Sequence, residues 1–401
     1  MRLLHTSDWH LGRRFHKESL LDAQHLFLDH LTATVEREAV DAVVVAGDVY
    51  DRAVPPLAAV ELFDSALHRL ADLGVPTVMI SGNHDSARRL GVGSGLMRRA
   101  GIHLRTDPDT CGEPVVLPDA HGDVAFYGLP YLEPALVREQ LGAEGRGHTA
   151  VLTAAMDRVR ADLAQRPEGT RSVVLAHAFV QGGQGSDSER DITTGGVASV
   201  PVSVFDGADY VALGHLHGCQ TLTGRVRYSG SPLAYSFSEE HHRKSMWLVD
   251  LDAEGSVEAR RLYCPRPRAL ARLTGTLEEL LGAPEHEEAE SAWVEATLTD
   301  PVRPHEPMAR LAARFPHVVS IRFRPDRPEE TASGTYAERL RGRDERQIAE
   351  DFVAHVRGGT AADPAERRLL GEAFDAVRED EARETAYAPP ARADERAEAA
   401  R

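Results

Sequence analysis

Short apolar runs that end in glycine or polar residues alternate along the first two thirds of the chain with longer stretches in which apolar positions recur every third or fourth residue. The runs Leu3 to Ser7, Ala42 to Ala46, Pro76 to Ile80, Val124 to Tyr127, Ser172 to Ala176, Tyr210 to Leu213, Arg225 to Tyr228 and Ser245 to Asp250 predict buried strands. The intervening stretches Leu20 to Glu38, Leu57 to Leu73 and Val151 to Gln165 predict amphipathic helices. Such alternation implies an α/β core whose sheets are covered by helices. The later strands follow one another with little helix between them, which favours a mixed or two-sheet core over a doubly wound parallel sheet.

The pattern changes at Pro265 and Pro267. Beyond them, strands at Arg272 to Thr276, Trp293 to Leu298 and Val318 to Arg324, with a helix around Met308 to Arg314, predict a small α/β cap domain. Two charged amphipathic helices follow, Tyr336 to Val356 and Pro364 to Glu384, joined by Arg357-Gly358-Gly359. After Ala388-Pro389-Pro390 the Ala/Arg/Glu-rich tail has the composition of a disordered segment. The expected domains are therefore residues 1–264, 265–330, 331–387 and a tail, 388–401. No internal repeat is evident.

Composition narrows the class. The 401 residues, 42% hydrophobic and 27% charged, are ordinary for a globular protein of two or three units. No apolar run approaches the ~20 residues of a membrane span, and the N-terminus runs straight into a strand without the pattern of a secretory signal, so a cytoplasmic location is expected. Cys111, Cys219 and Cys264 are odd in number and widely spaced, which argues against a disulfide framework and against a cysteine-built zinc site. A net charge of −17 argues against a uniformly positive coat for nucleic acid. It leaves room for a nucleic-acid enzyme whose phosphate contacts come from bound cations and a local arginine patch. Arg13, Arg14, Lys17, Arg88 and Arg89 are the candidates for such a patch, against a bland reading of each as a solvated surface charge. Lysine occurs only at positions 17 and 244.

The chemistry lies where the strands end. Leu3 to Ser7 delivers Asp8 and His10, Val43 to Ala46 delivers Asp48 after Gly47, and Val78 to Ile80 delivers Asn83 and His84 after Gly82. Val173 to Ala176 ends in His177, and Val211 to Leu213 delivers His215 and His217 after Gly214. Each alone has a bland explanation: an Asp that caps a turn, or a lone His that satisfies a hydrogen bond. Together, five strands ending in Asp, Asn or His form a set that packing does not ask for, at the strand ends where α/β sheets place their sites. Oxygen and imidazole donors without cysteine suit Mn, Fe, Zn or Mg. Seven candidates are too many for one ion and suit two that share a carboxylate. Two such cations would activate a bound water as a nucleophile and neutralise negative charge on a substrate.

Asp8-x-His10, Gly47-Asp48-x-x-Asp51, Gly82-Asn83-His84-Asp85, His177 and Gly214-His215-x-His217 resemble, in order, the five motifs of the calcineurin-like metallophosphoesterases. Within that superfamily the chain is similar to the bacterial SbcD-type branch of Mre11-like nucleases. Thr6 to Gly12, the loop from Gly182-Gly183-Gln184 through Ser186-Asp187-Ser188-Glu189-Arg190 to Gly195-Gly196, and Tyr228-Ser229-Gly230-Ser231-Pro232 carry this closer likeness. The resemblance implies a two-sheet sandwich flanked by helices, with Asp8, His10 and His217 on one metal, Asn83, His177 and His215 on the other, and Asp48 bridging them. It implies Mn²⁺, with Mg²⁺ as an alternative, and His84 as the group that stabilises or protonates the leaving oxygen. It implies a DNA exonuclease and endonuclease in DNA repair and recombination, working at the nucleoid. The C-terminal helices would dock an SbcC-type, SMC-like ATPase in a heterotetramer. Leu57 to Leu73 and a helix around Ala87 to Arg99 would form a homodimer bundle. Archaeal and eukaryotic members carry a second histidine at the position of Asp51, so a two-histidine leaving-group arrangement does not carry over. Two readings compete: a phosphatase or cyclic-nucleotide phosphodiesterase, whose second motif Gly47 to Arg52 resembles but whose third carries Glu where Asp85 stands, and a scaffold that keeps the fold without the chemistry.

Overall fold

The computed structural model describes residues 1–190, 199–325, 343–357 and 359–386, with side chains through 379. The chain separates into two units, Met1–Arg272 with Glu288–Glu295, and Leu273–Glu287 with Ala296–Arg401.

The first unit is built on two six-stranded sheets. In one, Arg2–Thr6, Ala42–Ala46, Thr77–Ile80 and Ile102–Arg105 run parallel in that order, and Ser245–Leu251 and Val257–Tyr263 extend the other side antiparallel. In the other, Val226–Tyr228, Tyr210–Gly214, Arg171–His177 and Gly122–Leu129 are parallel neighbours, edged by the antiparallel strands Gln220–Thr221 and Val115–Asp119.

Period-two alternation decides what each face meets. Leu3, Val44, Val78 and Ile80 of the first sheet join Phe126, Val173, Leu175 and Ala212 of the second in one buried cluster between the sheets. Leu4, Val43, Val45 and Met79 point the other way, into a cluster with Phe27, Leu28 and Leu31 of helix Leu21–Arg37 and Leu62 and Phe63 of helix Leu57–Asp72. On the far side, Ala125, Val174 and Val211 pack with Val151, Ala155 and Val159 of helix His148–Leu163. Because both faces of the central strands are covered, they read as continuous apolar runs. The result is a sandwich of two sheets between two layers of helix.

The expected strands and long helices are present within a few residues of their bounds. Six strands and two helices among the described residues were not anticipated: Arg14–Phe15, Glu18–Ser19, Ile102–Arg105, Val115–Asp119, Gln220–Thr221, Val257–Tyr263, and helices Pro134–Leu141 and Leu277–Gly282. One expectation is corrected. The helix expected around Ala87 to Arg99 is broken into the short turns Ala87–Leu90 and Ser94–Met97 and a 3₁₀ turn at Arg98–Ala100, because Gly93 between them takes a left-handed φ of 75°.

In the second unit, helix Leu277–Gly282 starts at a capping box in which the Thr276 hydroxyl accepts from Glu279 N–H and the Glu279 carboxylate accepts from Thr276 N–H. Trp293–Leu298 is the middle strand of a three-stranded sheet with Leu270–Gly275 and Val318–Phe323, of which the first two strands in sequence begin within the first unit's residues, and helix Pro307–Arg314 precedes the last. Helices Glu345–Val356 and Pro364–Ala386 follow, tied to each other by Arg357–Glu366, Arg346–Asp375 and Arg378–Glu345 pairs. The start of the first expected C-terminal helix, Gly195 and Gly196, Gly358 and the tail 388–401 lie outside the described residues.

Candidate metal centre

All five motif-bearing strands end at one place. Asp8 and Asp48 lie two residues beyond Thr6 and Ala46, Asn83 three beyond Ile80, His177 closes its strand, and His215 follows Gly214. Three of these strands belong to one sheet and two to the other, so the site sits where the carboxyl ends of the two sheets meet.

That meeting needs glycine. At Gly47, with φ 90°, a Cβ would lie 2.5 Å from His177 Nδ1, and at Gly214 one would lie 1.9 Å from the Ala46 carbonyl oxygen. Side chains at either position would hold the sheets apart.

The donor atoms converge closely. Asp8, His10 and His217 offer one group of ligand atoms within 4.8 Å of one another, Asp8, Asp48 and His177 a second, and His10, Asp48 and His84 a third. His10 Nε2 lies 3.1 Å from His217 Nε2. Asp48 Oδ2 lies 3.6 Å from His10 Nε2 and 3.5 Å from His177 Nε2. The Asn83 Oδ1 atom stands 2.9 Å from His177 Nε2 and 3.1 Å from His215 Nδ1. The structure thus brings all seven expected ligands together.

Hydrogen bonds on the outer side of the rings set what faces inward. His177 Nδ1 is 2.8 Å from the Ala46 carbonyl, which can only accept, so this nitrogen carries a proton. In the neutral ring Nε2 then presents a lone pair to the oxygens of Asp48 and Asn83, which are also acceptors. Lone pairs converging with no proton between them fit a cation, and the donor set suits a divalent metal.

Without a metal a proton takes that place. Burial works against a charged His177, but Asp48 and Asp8 override it and raise the group to about 9. Burial pushes Asp8 up to about 6, a shift held in check by His177 and His217. His10 and His215 stay neutral, because burial lowers both.

His84 stands at the edge of the cluster. Its backbone N–H donates to Asp48 Oδ1 at 2.8 Å, its ring meets that of His10 edge to face at 4.7 Å, and its Nδ1 bonds the Asp51 carbonyl at 2.8 Å. Asp51 therefore holds His84 through its backbone, while its carboxylate lies 3.7 Å from His10 Nδ1 and 3.5 Å from Arg13. Asp85 accepts from the N–H groups of Val49, Tyr50 and Gly82 and so clamps the second and third motif loops together.

The basic candidates divide. Arg13 is committed: its guanidinium donates to the Ser188 carbonyl at 2.9 Å and lies over the Tyr235 ring. Arg14 and Lys17 are exposed on a two-stranded turn, Arg14–Phe15 with Glu18–Ser19, and Arg88 and Arg89 are exposed on the turn Ala87–Leu90.

Sequence reasoning missed the groups behind His217. Ser188, Glu239 and Lys244 stand in line there, and Glu189 Oε1 accepts from His217 N–H at 2.7 Å. One signal was available: Lys244 is one of two lysines in a chain that otherwise uses arginine.

The calcineurin-like phosphoesterase family model matches residues 1–219. Residues 266–357 match the SbcD C-terminal family, described as the type 5 capsule protein repressor C-terminal domain. Among solved structures, the protein TT1561 of Thermus thermophilus is 14% identical over 65% of this chain and 98% of its own, with a TM-score of 0.38. A family 1 β-glucosidase from Thermotoga maritima is 9% identical over 80% of this chain and 82% of its own, with a TM-score of 0.19. Neither score bears on fold or function.

Proposed function

The chain belongs to the calcineurin-like phosphoesterase family, and from that membership we propose that it is the nuclease subunit of an SbcC-type ATPase complex. In this reading it hydrolyses DNA phosphodiesters, as an exonuclease on duplex ends and an endonuclease on single strands and hairpins. The observation that carries the reading is one chain that joins a phosphoesterase domain with a complete Asp/His/Asn cluster to an SbcD-type C-terminal domain.

Asp8, His10 and His217 would hold one divalent ion, Asn83, His177 and His215 the other, with Asp48 shared between them. Manganese is the proposed ion. When bound, such a pair supplies a hydroxide near neutral pH and screens the phosphate charge. The chain's own residues do the rest. His84, fixed by its backbone bond to Asp48 and by its Nδ1–H on the Asp51 carbonyl, would give a proton from Nε2 to the leaving sugar oxygen in its imidazolium form, which alone carries protons on both ring nitrogens, and would be left neutral. Arg88 and Arg89 take backbone phosphates of the duplex, and Arg13 acts indirectly by holding the Ser188 segment.

Two surfaces support the proposed assembly. Leu57, Val60, Val92 and Leu96 are exposed apolar residues on the helix and turns proposed for the homodimer. Phe352, Val356, Leu369 and Val377 are exposed on the two C-terminal helices, as a docking surface for the ATPase requires.

The test is a Mn²⁺-dependent assay on linear, hairpin and single-stranded DNA, with and without the ATPase. Asp48→Asn should lower hydrolysis at least ~100-fold with the fold intact. Unchanged rates in that variant rule out the shared-carboxylate role. Hydrolysis of a phosphopeptide but of no DNA substrate would replace this reading with a phosphatase.

A further inference from the structure

Of the imidazoles in the cluster, His217 is the one whose outer nitrogen is held by side chains. His177 Nδ1 is held by a backbone carbonyl, and His10 Nδ1 has no hydrogen-bond partner among the described residues, with the Asp51 carboxylate 3.7 Å away. His217 Nδ1, by contrast, lies 2.5 Å from Ser188 Oγ, and Ser188 Oγ lies 2.5 Å from Glu239 Oε1.

The protons in this chain have only one arrangement. A carboxylate only accepts, so the single Ser188 proton goes to Glu239, and the Ser188 oxygen must then accept from His217 Nδ1–H. Ser186 Oγ, 2.9 Å from Ser188 Oγ, also lies 2.7 Å from Glu189 Oε2, which takes its proton. His217 is left with a bare Nε2 facing the cluster.

The far end is anchored as firmly. The Glu239 side chain is 0% exposed, which an ionised carboxylate tolerates only when it is paired. Lys244 Nζ supplies the pair, and it spends its other protons on Ser231 Oγ and on the carbonyl oxygen of His217 itself, each at 2.9 Å. A compact ammonium satisfies three acceptors arranged around one point; the planar fork of arginine does not. This accounts for a lysine here in a chain that otherwise uses arginine.

We propose that Ser188 and Glu239, with Lys244 as counter-ion, are positioning residues that fix the tautomer and ring orientation of His217 and thereby set the affinity of one of the two ions. The proposal rests on the reading that His217 is a metal ligand. Groups that orient a ligating histidine in this way are typically worth 10–100-fold in metal affinity or activity.

Mn²⁺ binding to the full chain, followed by calorimetry and by electron paramagnetic resonance, tests it with Ser188→Ala, Glu239→Gln and, as reference, His217→Ala. The wild type should bind two ions. Ser188→Ala and Glu239→Gln should keep one ion at wild-type affinity and hold the other about 10–100-fold more weakly. The double variant should be no weaker than the weaker single one, since both act through one path. The melting temperature of metal-free Ser188→Ala should stay close to wild type, whereas that of Glu239→Gln should fall because the buried Lys244 loses its counter-ion. Two-ion binding at wild-type affinity in Ser188→Ala overturns the proposal, as does parallel weakening of both ions with a fall in melting temperature. If Glu239→Gln does not fold, Ser188→Ala, which removes one hydroxyl, decides. A wild type that binds no ion defeats the ligand reading itself, an outcome distinct from a normal wild type with a normal Ser188→Ala.

Discussion

Asp8, His10, Asp48 and His215 hold φ angles of 55°, 45°, 50° and 106°, and they are four of the seven non-glycine residues with positive φ among the described residues. Such conformations cost roughly 1–3 kcal/mol each and persist only where the surroundings over-determine them. Here Asp8 N–H donates to the Gly47 carbonyl and His10 N–H to the Asp48 carbonyl, each at 3.0 Å, and His215 N–H donates to Asp8 Oδ1 at 3.0 Å. The backbone holds the ligand atoms close together before any ion arrives, and a proton on His177 offsets the repulsion. A metal must displace that proton. With His177 raised to about 9 and Asp8 to about 6, the metal-free site gains protons as pH falls, so ions bind more weakly in acid. Mn²⁺ affinity should therefore rise by up to about tenfold per pH unit per displaced proton and level off above pH ~9. Calorimetry in buffers of differing ionisation enthalpy measures the protons released, and a pH-independent affinity between 7 and 9 would refute the linkage. The candidate ligands were legible in the sequence because each stands at or within a few residues of the end of an apolar run. The φ strain was not, since no local pattern encodes it. Neither was the chain Ser188–Glu239–Lys244, because its first two members are separated by fifty-one positions and meet only in the folded state.

Strands and helices were legible in proportion to their burial. Ala42–Ala46 is buried at every position and matches its expected bounds to the residue. Val257–Tyr263 is a half-exposed edge strand carrying Arg260 and Arg261, and Val115–Asp119 is an edge strand containing Pro118. Charge and proline are how edges avoid further pairing, and they erase the signal that a strand gives. His5, in the first strand, does something its apolar surroundings concealed. Its ring spans the sandwich, with Nδ1 2.8 Å from Tyr210 OH and Nε2 3.1 Å from the Leu213 carbonyl. The carbonyl accepts, so Nε2 carries the proton and Nδ1 accepts from the tyrosine. A second proton has no place there, and burial lowers His5 from 6.5 to about 3. The unfolded chain therefore binds more protons between those values, so stability present above pH ~6.5 is lost as pH falls toward 3. His5 alone should contribute a slope of up to ~1.4 kcal/mol per pH unit across that range. Thermal denaturation from pH 6.5 to 4 should show a shallower fall for His5→Gln than for the wild type. Equal slopes would assign acid sensitivity elsewhere. Gly214→Ala probes another inter-sheet contact sterically, against the Ala46 carbonyl, and should cost about 1–3 kcal/mol or more, read as a lower melting temperature.

If a chain of net charge −17 is to act on DNA, as proposed, it must confine its positive charge to particular places and leave much of its binding to other contacts. Loss of Arg88 and Arg89 should weaken DNA binding uniformly across sequences and flatten its salt dependence by about one unit of slope per lost phosphate contact, measured as affinity against salt. In the proposed reading, recruitment by a partner is the other route to DNA, and the C-terminal helices carry exposed apolar side chains suited to such a contact. Helix Glu345–Val356 has no buried residue, and its Glu345 and Arg346 pair with Arg378 and Asp375 of helix Pro364–Ala386. Phe352 is 58% exposed and Leu369 62% exposed. An aromatic and an aliphatic side chain presented in this way gain little from their own unit and much from a complementary groove. Because both are exposed already, Phe352→Asp and Leu369→Asp should shift the melting temperature little, as surface substitutions do. The same changes should abolish co-elution with the ATPase, since each would bring an unpaired carboxylate into the interface. Mn²⁺-dependent hydrolysis by the isolated chain should remain at wild-type level. Co-elution that survives both substitutions would place the partner's contact elsewhere on the molecule. Lost hydrolysis in the isolated chain would show instead that these helices serve the phosphoesterase unit directly.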